Sequence, residues 1–307
     1  MIVKILKKIA SLIVILLILS FLVFGLMYLA PGDPAERKLS QQGIPISKEV
    51  LEAERAKMGL DRPFLVRYGE WLSGIVRGDF GSSYKDDMPV GPKLGAGLKN
   101  TFILAFSSLI LALVIAFPLS VISAFRKNGV IDQIVRLLSF IGNSLPNFLI
   151  SILLIYFFCI KLNLFPVIAK GNVQGLFLPV ISLAIPMAGR FIRQMRAELL
   201  DQMKEDYVTG MQGRGVKQGY IVKNVLRNSI GHIFTIIALQ IGSLMGGSVV
   251  IETIFRWPGI GKLVMDSITA RDYPVILGFV IIIGVIYLVI NQLSDVLHHI
   301  LDPRTSL

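Results

Sequence analysis

Gly259-Ile260-Gly261-Lys262 is the stretch closest to a phosphate-binding loop in this 307-residue chain. Such a loop needs a glycine five positions before the second one, so that backbone N–H groups can cradle phosphates. It also needs a Ser or Thr after the lysine to hold magnesium. Here Arg256 and Leu263 occupy those two places. ATP and magnesium are therefore not expected as cofactors of this chain. Metal chemistry fares no better. His298 and His299 are adjacent, so they cannot share one helix face, and Cys159 is the only cysteine, so neither a metal pair nor a disulfide framework is expected. Glu252 and Asp295 lie near the ends of apolar stretches, where a solvated or snorkelling carboxylate is the reading, not a proton relay. No residue is assigned a catalytic role, and the chain is not expected to be an enzyme.

A second group of polar residues interrupts apolar stretches. Asn143, Ser144 and Asn147 stand beside Gly142 and Pro146, and Gln240 and Ser243 stand near Gly242 and Gly246. Amides and hydroxyls are costly against lipid, so each must face a water-filled path or another helix. These five are candidate path-lining residues, with interhelical packing as the competing role. The spacing of Gly242 and Gly246 permits a close helix approach. Arg190, Arg193 and Arg196 read as interfacial anchors. Trp257, Pro258, Gly259 and Gly261 form an aromatic-anchored turn, and Arg271 and Asp272 precede Pro274. Tryptophan is favoured at a membrane–water boundary, so this turn either orients two helices at the outer interface or touches solute directly.

The third constellation is DYVTGMQGRGVKQGYIVKNVLRNSI, residues 206–230. Glu205 and Asp206 suit a helix N-terminus, and Tyr207, Val208 and Met211 form one apolar side. Gly213 and Gly215 suit its end, because glycine adopts the left-handed cap cheaply. A second short helix fits Ile221, Val222, Val225 and Leu226. The pattern permits a compact helix–turn–helix and equally a solvated loop with interfacial helices.

These groups must be positioned by membrane helices. The chain is 54% hydrophobic and 17% charged, with a mean hydropathy of +0.70. A spanning helix needs roughly 20 apolar residues, because lipid offers no partner to backbone N–H and C=O groups. Six stretches qualify, at about 9–30, 101–125, 137–160, 176–197, 231–255 and 275–298. Pro179 and Pro186 predict kinks in the fourth. The net charge of +11 is a topology signal, because Arg126, Lys127, Arg136, Lys204, Arg214, Lys217, Lys223 and Arg227 fall in two loops. By the positive-inside rule those loops and both termini are cytoplasmic. No basic stripe interleaved with aromatics argues for nucleic acid as a partner. The first apolar run is too long for a signal core and is expected to remain as a span.

Residues 31–97 then lie outside and carry helix signals. Ser47 with Glu49 and Glu52 starts one helix that Gly59 ends, and a second fits Pro63 to Arg77 with Gly78 beyond it. The expected fold is all-α and integral to the membrane. It has six transmembrane helices, a small external helical segment after the first span, and a cytoplasmic helical loop between spans four and five. The organisation is a transmembrane helix at 1–30, the external segment at 31–97, and a five-helix domain at 98–307 containing a loop at 201–229.

The stretch from Asp206 to Ser229 resembles the cytoplasmic coupling loop of ABC-importer permeases in the dipeptide, oligopeptide and nickel family. Asp206, Tyr207, Val208, Gly213, Arg214, Gly215, Leu226, Arg227, Asn228 and Ser229 carry the match, while Gly210 and Met211 depart from the family's small Ala-rich run. APGDP at 30–34, GLDRPFLVRYGEWL at 59–72, GDFGSSY at 78–84, VVIETIFRWPGIGKLVMDSITARDYPVI at 249–276 and LDPR at 301–304 resemble further family blocks, in order.

The resemblance implies a multi-pass permease subunit of the bacterial or archaeal inner membrane. Its partners would be a second permease chain, related but different, two cytoplasmic ATPase subunits that bind ATP and magnesium, an extracytoplasmic substrate-binding protein, and membrane lipid. Glu205, Asp206, Tyr207, Val208, Met211, Arg214, Gly215 and Lys217 would then couple this chain to the ATPase. A short peptide and a nickel ion or nickel chelate are both compatible substrates, with Met245, Gly246 and Gly247 leaning toward the metal branch. An ATP-independent channel or secondary transporter, or a membrane assembly subunit, are the alternative readings.

Overall fold

The computed structural model describes residues 2–169 and 171–301, and the side chains of residues 10–169, 171–240, 244, 246–290 and 292. His298, His299 and Asp295 lie outside the described side chains, as do Ser243 and Met245. Most of LDPR lies outside the described residues altogether.

Among the described residues the structure is helical, apart from one isolated bridge between Ser82 and Pro89. Two compact units are present. Unit 1 comprises residues 1–100 and 259–288, and unit 2 comprises residues 101–258 and 289–307. This partition differs from a split at 30 and 97, because the 259–288 segment packs with the N-terminal hundred residues.

Unit 1 begins with α1 (Ile2–Leu29), whose apolar run ends at Pro31. Asp33 caps α2 (Pro34–Gln42) by accepting from the Ala35 N–H at 2.9 Å, with Pro34 as the first helical residue. The Asp-Pro pair is the local sequence signal for this helix. Ser47 caps α3 (Lys48–Lys57) as expected, accepting from the Val50 N–H at 3.3 Å. α4 (Phe64–Val76) follows Pro63. It packs on α1 through Phe21, Phe24 and Tyr28 against Phe64, Tyr68 and Trp71, with edge-on ring centroids 5.2–5.5 Å apart for most pairs.

The buried Lys38 ammonium ties α2 to α3 through Glu54 at 2.9 Å and to the following loop through Asp87 at 2.8 Å. The start of α5 (Val90–Phe125), α11 (Ile260–Ala270) and the first part of α12 (Tyr273–Leu301) complete the unit. Val90, Leu94, Ile260 and Val275 form their shared core.

Unit 2 holds the rest of α5, then α6 (Val130–Ser144), α7 (Asn147–Leu154) continued by a π-helical turn at Ile155–Lys161, and α8 (Val173–Gln202). α9 (Asp206–Gly213) and α10 (Gln218–Phe255) follow. One core joins Ala112 and Ala116 of α5, Val135 of α6, Met187, Phe191 and Met195 of α8, and Ile233 and Leu244 of α10. α6 and α8 approach closely because Gly189 has no side chain. A β-carbon there would stand 2.6 Å from the Ser139 carbonyl oxygen.

Four helices are long and apolar enough to cross a membrane among the described residues, and five if the bent pair α6–α7 counts as one span. Many of their apolar side chains face outward, Ile110 and Val114 of α5 and Leu22 and Leu26 of α1 among them. The predicted third span, 137–160, is not one straight helix. It breaks at Leu145-Pro146 with a bend of 97° between its two halves, because proline removes a backbone donor and disfavours the helical region for its predecessor. Pro179 and Pro186, by contrast, lie inside a continuous 30-residue α8.

The predicted fifth span falls within α10, where only Gly246–Phe255 registers as a short apolar helix among the described residues. Among the described residues nothing stands where a β-carbon of Gly246 would be. The short second helix expected near Ile221 is the first turns of α10, which runs on for 38 residues.

Candidate coupling element and translocation path

α9 lies between the two long helices α8 and α10 of unit 2. Its N-cap residue Glu205 is extended, with φ −65° and ψ 148°, and Asp206 opens the first turn. At the other end the Gly215 N–H donates to the Gln212 carbonyl at 2.9 Å, and the Val216 N–H donates to the Met211 carbonyl at 3.1 Å. This pairing is the Schellman arrangement, which needs a left-handed residue after the helix. Gly215 supplies it with φ 70°. Met211 and Val216 close the motif as apolar residues on one core.

The apolar side of α9 faces inward. Val208 is 1% exposed and packs with Ala124 of α5, Leu199 of α8, and Ile221 and Val225 of α10, while Tyr207 and Met211 flank it. Val208 is thus an anchor into its own unit, not a surface contact. The side left exposed carries Glu205, Asp206, Thr209, Gln212, Arg214 and Lys217. The Arg214 Nε donates to the Gly210 carbonyl at 3.1 Å, which lays that side chain along the helix.

An ion pair that sequence reasoning missed lies in the same unit. Asp132, fully buried at the start of α6, accepts from Arg196 Nε at 2.7 Å and Nη2 at 2.8 Å. It also accepts from the Ser123 hydroxyl at 2.5 Å and the Asn128 N–H at 2.9 Å. Every carboxylate lone-pair direction is used, and the bidentate fork fixes its geometry. Arg196 is therefore not an interfacial anchor but a tie between α8 and the α5–α6 turn. The one available signal was a lone acid in a basic loop.

Arg193 is exposed, and the Nε of Arg190 is buried with no hydrogen-bond partner among the described residues. Glu252 also departs from expectation. It is fully buried, and its carboxylate accepts from the Thr101 hydroxyl at 2.6 Å, so it is a core residue and not a snorkelling one.

Asn143, Ser144 and Asn147 lie at the α6–α7 break. Half-buried Asn143 lies in the last turn of α6, exposed Ser144 ends it, and half-buried Asn147 opens α7 with its amide 3.7 Å from where a β-carbon of Gly247 would stand. Gln240 is half-buried on α10, seven residues N-terminal to Gly247. Ser243 lies on the same helix, outside the described side chains. On a straight helix the three would share one face, since Asn147 follows Asn143 and Ser144 by four and three residues. The break divides them, leaving Asn143 and Ser144 on the last turn of α6 and Asn147 at the start of α7.

The turn at 257–261 differs from an interfacial anchor. Trp257 is 2% exposed, packed with Leu178, Leu183, Ile251 and Phe255, and its backbone N–H donates to the Glu252 carbonyl at 2.9 Å. Its ring is a core element and does not sit at a boundary with lipid. Within unit 2, Pro258 lies against Gly171. In unit 1, Gly259 precedes α11, with Gly261 in its first turn, and Arg271 ends that helix in the left-handed region, φ 58°. Asp272 is buried, accepting from the Ser83 hydroxyl at 2.5 Å and the Tyr84 N–H at 2.8 Å. Its carboxylate therefore holds the 81–89 loop and is committed to structure. Among the described residues no cluster of three His, Cys, Asp or Glu side chains is placed to hold a metal ion.

A helical transport subunit with an inward-anchored short helix is the class these features define. The chain matches the family described as the inner membrane component of binding-protein-dependent transport systems over residues 116–307, and the N-terminal counterpart of that component over residues 1–119. It belongs to that family. It is 35% identical to the metal-staphylopine import system permease protein CntB of Staphylococcus aureus (strain Mu50 / ATCC 700699), covering 98% of this chain and 97% of that protein. It is 36% identical to the nickel import system permease protein NikB of Staphylococcus aureus (strain MRSA252), covering 99% and 92%. A crystal structure of an amino acid ABC transporter with histidines shares the fold, with a TM-score of 0.57 at 15% identity, covering 68% of this chain and 94% of that one. The chain is thus a transporter subunit of the inner membrane, working with an ATPase and a binding protein, and ATP hydrolysis resides in partner subunits.

Proposed function

We propose that this chain forms half of a translocation path for nickel or a metal chelate, with a short peptide as the other substrate the family accommodates. The similarity to two metal-importing permeases over nearly the whole chain supports the metal. In this reading α9 is the coupling helix. It docks on a separate cytoplasmic ATPase, two copies of which serve two permease chains. The observation that carries the coupling role is the division of α9 into two sides. Val208 anchors it to the ends of α5, α8 and α10, and the opposite side, with Asp206, Thr209 and Gln212, is exposed.

A helix tied rigidly to three others transmits a push. ATPase closure would move α9, and the packed helices would follow as a body to reopen the path on the other face. The α6–α7 break, with Asn143, Ser144 and Asn147, is the part of the path we assign, joined by Gln240 and Ser243 of α10. Both termini and the α9 segment lie in the cytoplasm in this topology, and residues 31–97 lie outside.

The test is cross-linking in the assembled importer. A cysteine at Gln212, in a Cys159→Ser background, should form a disulfide with a cysteine on the ATPase surface and trap nucleotide-dependent states, while one at the exposed Leu239 should not. Cross-linking from neither position, together with nickel uptake that needs no ATPase, would leave the channel or secondary-transporter reading standing instead.

A further inference from the structure

Unit 1 contains a half-open cavity of about 700 Å³ between α1, α2, α3, α4 and the start of α12. That volume is in the range of small-molecule sites. Its walls are aromatic, with Phe24, Tyr28, Trp71, Tyr84 and Tyr273 among the lining residues. Three charged groups of its lining, Asp33, Arg55 and Glu70, are already paired. Arg55 pairs with Asp33 at 2.7 Å, and Glu70 pairs with Arg62 at 2.7 Å. Two others, Arg67 and Glu36, enter no ion pair among the described residues and line the same cavity.

Arg67 is nonetheless held in place. Its guanidinium lies 5.8 Å from the centre of the Phe24 ring and beside the Tyr84 hydroxyl. A half-buried guanidinium against an aromatic face, lacking a carboxylate, offers N–H donors to an anion. An unpaired acid on the same cavity favours a positive centre in the same solute.

We propose that this cavity is an extracytoplasmic subsite for a small solute that carries a carboxylate and a positive centre, Arg67 taking the first and Glu36 the second. That chemistry is shared by a free peptide and by a metal ion chelated by an amino acid. The proposal rests on the importer reading and on its topology, which puts the cavity on the side where solute arrives. A phospholipid headgroup carries a similar pair of charges, so the test must separate the two sources.

The experiment titrates the assembled importer, in nanodiscs and without its binding protein, by calorimetry. The probes are trialanine, trialanine amide, N-acetyl-trialanine, the nickel–histidine chelate and glycerophosphoethanolamine. Trialanine or the nickel chelate should bind saturably. Loss of the carboxylate in trialanine amide should weaken binding at least tenfold, and Arg67→Gln should weaken trialanine equally while leaving the amide unchanged. Glu36→Gln should weaken trialanine but not N-acetyl-trialanine. If only the nickel chelate binds, the same loss on Arg67→Gln supports the subsite and selects the metal branch.

Tighter binding of glycerophosphoethanolamine than of either solute would make the cavity a lipid site and overturn the proposal. So would solute binding that ignores Arg67→Gln. ATP-driven uptake at the unsubstituted rate in the Arg67→Gln importer, with no probe binding, would remove the subsite and leave the importer reading intact. Uptake by the unsubstituted protein that needs neither ATP nor binding protein would remove the importer reading itself.

Discussion

Asp132 and Arg196 show how much a single buried pair can hold. Asp132 has no exposure and Arg196 has 15%, and the pair joins α8 to the turn between α5 and α6. Removing one partner leaves the other charge without compensation, at a cost of about 3–5 kcal/mol. Arg196→Met should therefore lower the midpoint of thermal unfolding in detergent by several degrees, and Asp132→Asn should do less, since an amide still accepts from Ser123 and Arg196. A double variant, Asp132→Asn with Arg196→Met, should recover part of the loss. Equal stability of the Arg196→Met protein and the unsubstituted one would mean that the pair is too well hydrated to matter. The sequence offered only a lone acid in a basic loop. Asp132 lay in a stretch interpreted for its positive charges, and its partner is 64 residues away.

At the scale of elements, α9 and the α6–α7 pair carry the functional reading. Gly215 has a φ of 70° and open space around a notional β-carbon, so substitution there strains the backbone without a steric clash. A β-branched residue in that region costs on the order of 1–3 kcal/mol. Gly215→Val should tilt or fray the last turn of α9 while leaving the membrane helices inserted. Membrane level should stay near normal, ATPase co-purification should fall, and uptake should be lost. Lys127→Ala, an exposed charge change in the α5–α6 turn, should do little. Full co-purification and full uptake in Gly215→Val would refute α9 as the docking element. Both ends of α9 were legible, because acids at the start and glycines at the end act through local backbone chemistry. The direction its apolar side faces was not legible, since an amphipathic helix can bury that side in its own chain or in a partner.

At the scale of the whole chain, topology is the property that both substrate entry and ATPase docking need. A cysteine at exposed Lys85 should be labelled from outside intact cells by an impermeant thiol reagent, and one at exposed Gln218 only after the membrane is opened. Ser83 would be a poor reporter, because it is buried against Asp272. Cys159→Ser removes the native thiol, which is itself buried. Labelling at Gln218 alone in intact cells would invert the orientation and end the coupling role of α9.

What the sequence determined by itself is everything that depends on neighbours along the chain. Long apolar runs must be helices in a membrane, because lipid cannot satisfy the backbone. Ser47 and Gly59, Pro63 and Gly78, and Glu205 and Gly215 bracket their helices through local caps, and the motif order pointed to the permease family. Tertiary structure decided what depends on distant partners. It placed Trp257 and Glu252 in the core, although both types are also at home at an interface. It turned Pro146 into a 97° break while α8 absorbed Pro179 and Pro186 without interruption. It joined residues 259–288 to the N-terminal hundred through Asp272, Ile260 and Val275. The physical reason is the same in each case. A cap or an apolar run is stabilised within one or two turns of chain, whereas a buried charge, a proline's freed carbonyl or an indole ring is stable only where some remote helix supplies the missing partner.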